Sequence, residues 1–492
     1  MNYTIHDYGR DLLYRRQLSE DDVRELLVQL GFADWRAADR FLRHLSAQSH
    51  NGAGWGKTIP LLLATLSATA NPEQTLLNFK RFVQVAALNT DLLPRLQNTP
   101  RLIEILITLF GGSHFLTEIL LRHPDYSLKL TGHGDLTQLK GVEQLNAEMK
   151  EIRQSSRGEE MNVLRKFQRL ELLRIGACDL LGLFDMPTVT AQLSHLADSL
   201  VAASLDIAAL QSGISKQGFA VLALGKLGGG ELNYSSDIDL LFLAETNADD
   251  YRRLGERLIE CLSRVTPEGF LYRVDMRLRP WGQSGALVNS IAGYTHYLSR
   301  YAQLWEKQAL LKARVIAGDR VVGDEFLQRA EPLIFESRPE RVRADIHRMK
   351  QRTENHLLRN GRRWGEVKLG EGSIRDVEFV VQYLQLVHGA AFPDVRSANT
   401  IDALGRLFAR GMLSAEEYRV CLDGYVFLRT IEHYLQMLNY RQTYTLPGDA
   451  EGLTHLARRL GFAGPEARER FVTRYQQHSA AIRSIYRHYL ES

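Results

Sequence analysis

Asp237 and Asp239 stand two residues apart at the start of the apolar run Asp239 to Leu243. In an extended chain this spacing puts both carboxylates on one face and sends Ile238 and Leu240 into the core. Neighbouring carboxylates repel each other, and a divalent cation between them removes that cost. Mg²⁺ favours such oxygen donors combined with substrate phosphates. A third acid lies in Tyr272-Arg-Val-Asp-Met-Arg-Leu-Arg279, where alternation is strict. Tyr272, Val274, Met276 and Leu278 make an apolar face, and Arg273, Asp275, Arg277 and Arg279 make the other. Asp275 thus completes a metal-binding trio with Asp237 and Asp239. The planar guanidinium forks of Arg273 and Arg277 suit phosphate oxygens. A surface strand laced by salt bridges competes with this reading, chiefly for Arg279.

The stretch before the aspartates supplies a phosphate site. Gly228, Gly229 and Gly230 let the backbone approach an anion without side-chain obstruction, and Ser235 and Ser236 add hydroxyl donors. A triple glycine alone says little. The order strand, glycine-rich loop, Ser-Ser-Asp-Ile-Asp and strand is far more specific. Lys312 and Arg314, on a helix predicted from Trp305, are further candidates for nucleotide phosphates, with a solvated helix face as the competing reading. In Lys368-Leu-Gly-Glu-Gly-Ser-Ile-Arg-Asp-Val-Glu-Phe379, Ser373 or Asp376 is expected to cap the following helix. Contact of Arg375, Asp376 or Glu378 with substrate is the lesser alternative.

These residues need a sheet to hold them. Strands are predicted at Gly218–Leu224, Asp239–Leu243 and Leu271–Leu278, with a helix carrying Leu254, Leu258, Ile259 and Leu262 between the last two. The rest of the chain has helical patterning. Asn71-Pro72-Glu73 is a helix start, and Pro100 opens an apolar helix closed by Gly111-Gly112. Gly132 to Leu139 is expected to be a loop. Beyond residue 340, long apolar stripes with Arg-rich opposite faces predict a bundle whose charges are solvated. The expected fold is α+β: an N-terminal helical region (1–155), a catalytic domain (156–325) and a C-terminal helical bundle (326–492).

Taken together, the motifs resemble the bacterial glutamine synthetase adenylyltransferase/adenylyl-removing family. They are Gly225-Lys-Leu-Gly-Gly, Glu231-Leu-Asn, Ser235-Ser-Asp-Ile-Asp, Tyr272 to Pro280, Gly282-Gln-Ser-Gly285, Trp305-Glu306, Lys312-Ala-Arg314 and Gly372 to Phe379. The resemblance extends from about residue 70 to the end. It implies a nucleotidyltransferase domain like that of DNA polymerase β, with paired aspartates and a glycine/serine loop. Family members usually carry two such domains. One uses ATP to add AMP to a tyrosine of glutamine synthetase, and the other removes AMP with phosphate, yielding ADP. One motif set is present here. Arg273, where the transferring half tends to carry Glu, and the Glu-Leu-Asn-Tyr-Ser-Ser-Asp stretch are closer to the N-terminal, removing half. Gly230 and Ser373 depart from the common pattern.

The resemblance implies Mg²⁺ as cofactor and glutamine synthetase as protein substrate, with ATP or ADP and phosphate as small reactants. A PII-type nitrogen signal protein is a further possible partner. Three functional readings follow: phosphorolytic removal of AMP, ATP-dependent adenylylation, or a non-catalytic regulatory module. The charge balance, 61 Lys and Arg against 58 Asp and Glu, gives no case for nucleic acid or membrane partners. Three scattered cysteines with no Cys-x-x-Cys pair predict a reduced, cytoplasmic protein without a zinc site. No stretch is expected to span a bilayer.

Overall fold

The strand predicted at 218–224 is the middle of a five-stranded mixed sheet in a computed structural model. The structure describes residues 3–14, 19–47, 54–88, 92–131, 136–155, 159–335, 338–362, 364–440 and 442–491. Residues 132–135 of the predicted loop 132–139 lie outside these. β1 (Phe219–Leu224) pairs antiparallel with β2 (Ile238–Ala244), from Phe219 opposite Ala244 to Leu224 opposite Asp239. On its other side β1 pairs antiparallel with β5 (Arg314–Gly318). β3 (Val274–Asp275) and β4 (Val288–Ser290) both run parallel to β2, at different points along it.

All six residues of β1 are buried, because helices cover both faces of the sheet. Phe219, Val221, Ala223, Ile238, Leu240 and Phe242 join the core of the N-terminal helices and of helices Glu160–Leu180 and Met186–Ser212. Ala220, Leu222, Leu224, Leu241 and Leu243 join a second core with helices Ile374–His388, Ala415–Asn439 and Ala467–Leu490. The two-residue period of the strands thus splits the apolar interior into two layers. Asp239 shares its face with Leu241 and Leu243, so its carboxylate points toward the C-terminal helical layer.

Helix Met186–Ser212 is long and apolar enough to cross a membrane, contrary to the expectation that no segment would be. Here it is a core helix. Asp185 caps it by accepting from the Thr188 N–H, Pro187 sits in its first turn, and Gly213 ends it in the left-handed conformation. Most of its length is buried against the sheet and neighbouring helices.

Several predicted elements have different limits. The strand expected over 271–278 is only two residues long, because the Asp275 carboxylate accepts the Arg277 backbone N–H at 2.8 Å and turns the chain. The helix from Trp305 ends at Leu310, so Lys312 lies in a turn and Arg314 begins β5. Gly111 and Gly112 do not close the helix begun at Pro100 but form its last turn. A Cβ on Gly112 would lie 2.3 Å from Leu180, so glycine there permits close helix packing. Asn71 caps Pro72–Ala86 as predicted, through its side chain and the Gln74 N–H.

Candidate active site

The parallel pairing of β2 with β3 sets Asp239 directly opposite Asp275. Both are partly buried, and Asp237 lies one turn of pleat earlier on the Asp239 face. Burial, followed by the nearby charges of Asp275 and Asp237, pushes the Asp239 carboxyl up to about 6, against opposing influences from Lys368 and Arg277. Desolvation and neighbouring acids both disfavour the charged form of Asp239. Asp275 moves the other way. Hydrogen bonds from Arg277 are the main cause that holds it below the usual carboxylate range.

Gly225 leaves the space that Asp239 occupies. It has φ +55°, and a Cβ there would lie 2.2 Å from Asp239 Oδ2. The first glycine after β1 is therefore required both by its backbone conformation and by the carboxylate packed against it.

Arginines meet the other two acids. Arg273 Nε donates to Asp237 Oδ1 at 2.5 Å, and its Nη2 donates to the Ser235 carbonyl at 2.7 Å. Arg277 Nε and Nη2 donate to Asp275 Oδ2 at 2.9 and 2.5 Å. Both guanidinium groups are exposed, so solvent screens these pairs and their exchange for other ligands is inexpensive. Arg279 instead clamps the next loop, donating to the carbonyls of Met276, Gln283 and Gly285.

Among the described residues, no group of three or more His, Cys, Asp or Glu side chains is gathered as a ready metal site. The donor set nevertheless fits Mg²⁺. Its donors are hard carboxylate oxygens, Asp239 and Asp275 stand opposite each other across a strand pair, and burial together with the neighbouring acids raises the Asp239 carboxyl. The arginines would need to release Asp237 and Asp275.

The other predicted phosphate contacts are placed elsewhere. Gly228 and Gly229 are packed against protein. A Cβ on Gly228 would lie 1.9 Å from the Lys312 carbonyl, and one on Gly229 would lie 2.8 Å from that of Ala398. Gly225–Gly228 forms a short helical turn rather than an open loop. Ser235 is buried and donates to the Tyr440 carbonyl at 2.9 Å, while Ser236 is partly exposed beside Asp237. Lys312 is buried on Glu231 Oε2 at 2.9 Å and Thr400 Oγ1 at 3.1 Å. Arg314 holds the buried Asp198 at 2.6 Å and the carbonyls of Leu227 and Gly228. These two cations therefore fix the glycine turn from behind.

A buried polar network was not anticipated. Glu231 accepts from Lys312, from the Thr400 N–H at 2.8 Å and from the Thr400 hydroxyl. Arg429 donates to the Glu231 carbonyl at 2.7 Å and to Asn233 Oδ1 at 2.8 Å. Lys226 lies 2.5 Å from Glu432. Burial would raise the Glu432 carboxyl, but the charges of Lys226 and Arg429 outweigh it and hold the group at about 2. Arg429 is thus not on the solvated face predicted for its helix. Its spacing with Glu432 and Gln436, among Leu428, Ile431 and Leu435, was the available signal: charges on an apolar stripe. The Lys368–Phe379 segment joins the same layer. Asp376 accepts the Gly372 N–H at 2.8 Å and pairs with buried Lys350, which tightens the turn before helix Ile374–His388; Ser373, at the cap position, makes no capping hydrogen bond.

Residues 103–329 match the family model described as glutamate-ammonia ligase adenylyltransferase. Residues 340–490 match the model described as GlnD PII-uridylyltransferase. Two relatives are the bifunctional glutamine synthetase adenylyltransferase/adenylyl-removing enzymes of Streptomyces avermitilis and Streptomyces coelicolor. They are 34% and 33% identical over 474 and 480 residues, in each case 94% of this chain and 46% of the relative. The enzyme of the same name from Hahella chejuensis is 35% identical over 388 residues, covering 72% of this chain and 39% of its own. The chain spans about half the length of the curated relatives it matches. With the acidic strand pair and its motifs in place, the chain belongs to the glutamine synthetase adenylyltransferase/adenylyl-removing family of nucleotidyltransferases.

Proposed function

We propose that the chain removes AMP from adenylylated glutamine synthetase by phosphorolysis, releasing ADP in the cytoplasm. The observation that carries this reading is Arg273. Its exposed guanidinium stands beside Asp237, at the edge where an anionic nucleophile must approach an anionic phosphodiester. A cation there offsets the repulsion between the two. Adenylylation of a tyrosine hydroxyl instead calls for removal of a proton, which an acid at 273 would assist better.

In this reading, Asp237, Asp239 and Asp275 hold Mg²⁺. The bound ion supplies neutralisation of charge on the phosphoryl oxygens. Arg273 and Arg277 turn from their carboxylates to phosphate oxygens and orient the nucleophile. A phosphate oxygen attacks the AMP phosphorus in line, the bond to the tyrosyl oxygen breaks, and the proton of hydrogen phosphate ends on that oxygen. The rigid turn from Gly225 to Asn233 keeps the Asp239 face in position. The C-terminal helices, similar to a PII-uridylyltransferase model, are a docking region for glutamine synthetase or for a PII-type protein.

The test uses two mixtures containing Mg²⁺. One holds AMP-modified glutamine synthetase and phosphate, and the other holds unmodified enzyme and ATP. ADP release in the first mixture is the expected result. AMP incorporation in the second without ADP release in the first would overturn the proposal in favour of adenylylation. Silence in both with retained binding would favour a regulatory module.

A further inference from the structure

Trp281 holds a backbone conformation that L side chains rarely adopt, with φ 61°. Among the described residues, the other such non-glycine position is Tyr440, whose ring stacks on Phe115 with centroids 3.6 Å apart. Trp281 differs in that 59% of it is exposed. A left-handed tryptophan costs backbone strain, and an exposed one forgoes apolar burial. Such strain persists only where the surrounding contacts enforce it.

Those contacts fix both the loop and the ring. Besides the clamp that Arg279 makes on three loop carbonyls, the Gly282 N–H donates to the Arg279 carbonyl at 2.8 Å. The Ser284 hydroxyl donates to the Trp281 carbonyl at 3.0 Å. The indole packs edge-on to Tyr297, with centroids 4.9 Å apart, and the Tyr297 hydroxyl is anchored on buried Glu306 at 2.7 Å. Tyr301 lies 5.4 Å from Trp281 and is itself 52% exposed. His296, also exposed, lies 6.0 Å from Tyr301. The loop and the end of helix Ile291–Arg300 thus present three adjoining rings to solvent.

This platform is joined to the acidic edge. β3, which carries Asp275, is an edge strand of the sheet, and the Trp281 loop follows it directly. A Cβ on Gly282 would lie 3.7 Å from the Arg277 carbonyl, so the loop folds back onto the residue that pairs with Asp275. Helices cover both faces of the sheet, and the exposed Arg273 and Arg277 mark the open approach to the acids. Arg300, at the end of the helix that carries His296, is exposed as well. The rim of the platform is therefore basic.

We propose that Trp281 and Tyr301 form a docking platform for the segment of glutamine synthetase around the reacting tyrosine. That segment would cover the rings with apolar or aromatic side chains and meet the arginines with acidic ones. An adenine base stacks on one ring, whereas three rings from two elements stand together here, a breadth suited to a protein segment. Exposed apolar patches with polar rims mark such contacts, and Trp, Tyr and Arg most often dominate their energy. The proposal rests on the catalytic reading above for the identity of the substrate, and it holds in either direction of transfer.

The full chain is tested as wild type, Trp281→Gly, Trp281→Phe and Tyr301→Ala. Glycine adopts the left-handed conformation freely, so Trp281→Gly removes the ring without adding strain. Tyr301→Ala tests the same platform from the helix side, independently of the loop. Binding to AMP-modified and unmodified glutamine synthetase is measured by surface plasmon resonance, and binding of ADP with Mg²⁺ by calorimetry. Trp281→Gly is expected to weaken binding of the form that wild type prefers by about tenfold or more, and to leave ADP binding within about twofold. Trp281→Phe should recover most of the loss, and Tyr301→Ala should lose roughly threefold. In the active direction the KM for glutamine synthetase should rise in step, with kcat within about twofold. Unchanged glutamine synthetase binding in Trp281→Gly and Tyr301→Ala, or a wild type that binds neither form, would overturn the proposal. An equal weakening of ADP binding would overturn it in favour of a platform for the adenine base. AMP incorporation without ADP release in wild type would overturn the removal reading alone, since the binding comparison still decides the platform.

Discussion

The partly buried acids of the β2–β3 edge and the fully buried acids behind the glycine turn use the same residue types for opposite purposes. Glu231 and Glu432 are enclosed by fixed partners: Lys312, Thr400, Arg429 and Lys226. Asp237 and Asp275 hold solvent-exposed arginines, and the charge of Asp239 is resisted by burial and by the neighbouring acids. The first set holds the structure together. In the second, Asp239 is held against an unfavourable charge that a cation beside it would relieve. Such strain belongs at sites selected for chemistry rather than for stability.

Carboxylate-to-amide substitutions should therefore separate the two regions. Asp239→Asn should lower turnover by about 10³-fold or more, measured as initial rate at saturating phosphate. A rate within tenfold of wild type would remove Asp239 from the chemistry. Glu231→Gln should cost about 3–5 kcal/mol of stability in urea denaturation, because it leaves the buried Lys312 without its main counter-charge. A loss below 1 kcal/mol would show that the network is dispensable.

Asp239→Asn should shift stability in the opposite direction. In the folded state the Asp239 carboxyl is raised to about 6, above the ordinary value of 3.8. Its contribution to stability is thus fully present below about pH 4 and is lost as pH rises through 6. At pH 8 in EDTA, the amide should make the protein more stable by about 1–3 kcal/mol, and this gain should vanish near pH 4. A gain independent of pH would point to packing instead. A smaller effect on the same comparison is expected from Gly225→Ala. The added methyl would displace Asp239, and a shift of that size costs roughly 10²-fold in rate with a modest loss of stability.

The acidic edge was legible in the sequence because strand alternation fixes which side chains share a face. The facing of Asp239 and Asp275 follows from a period of two, whereas Arg277 reaches Asp275 through the turn that ends β3. Lys312 and Arg314 were not legible as structural cations. Their partners, Glu231, Thr400 and Asp198, lie 81 to 116 residues away along the chain, beyond any local pattern. The glycines behaved similarly. Gly228 and Gly229 read as space for a ligand, but the space is filled by the backbone at Lys312 and Ala398. A side chain's absence shows that something approaches closely without saying what. The short β3 was hidden for a local reason, the turn that the Asp275 side chain itself makes with Arg277.

The most direct measurement compares the melting temperatures of wild type and Asp239→Asn as MgCl₂ is added at pH 7.5. If opposed acids on two neighbouring strands form a divalent-cation centre, the wild type should become more heat-stable with increasing Mg²⁺ and the amide variant should not respond. Equal responses, or none in either protein up to millimolar Mg²⁺, would contradict it.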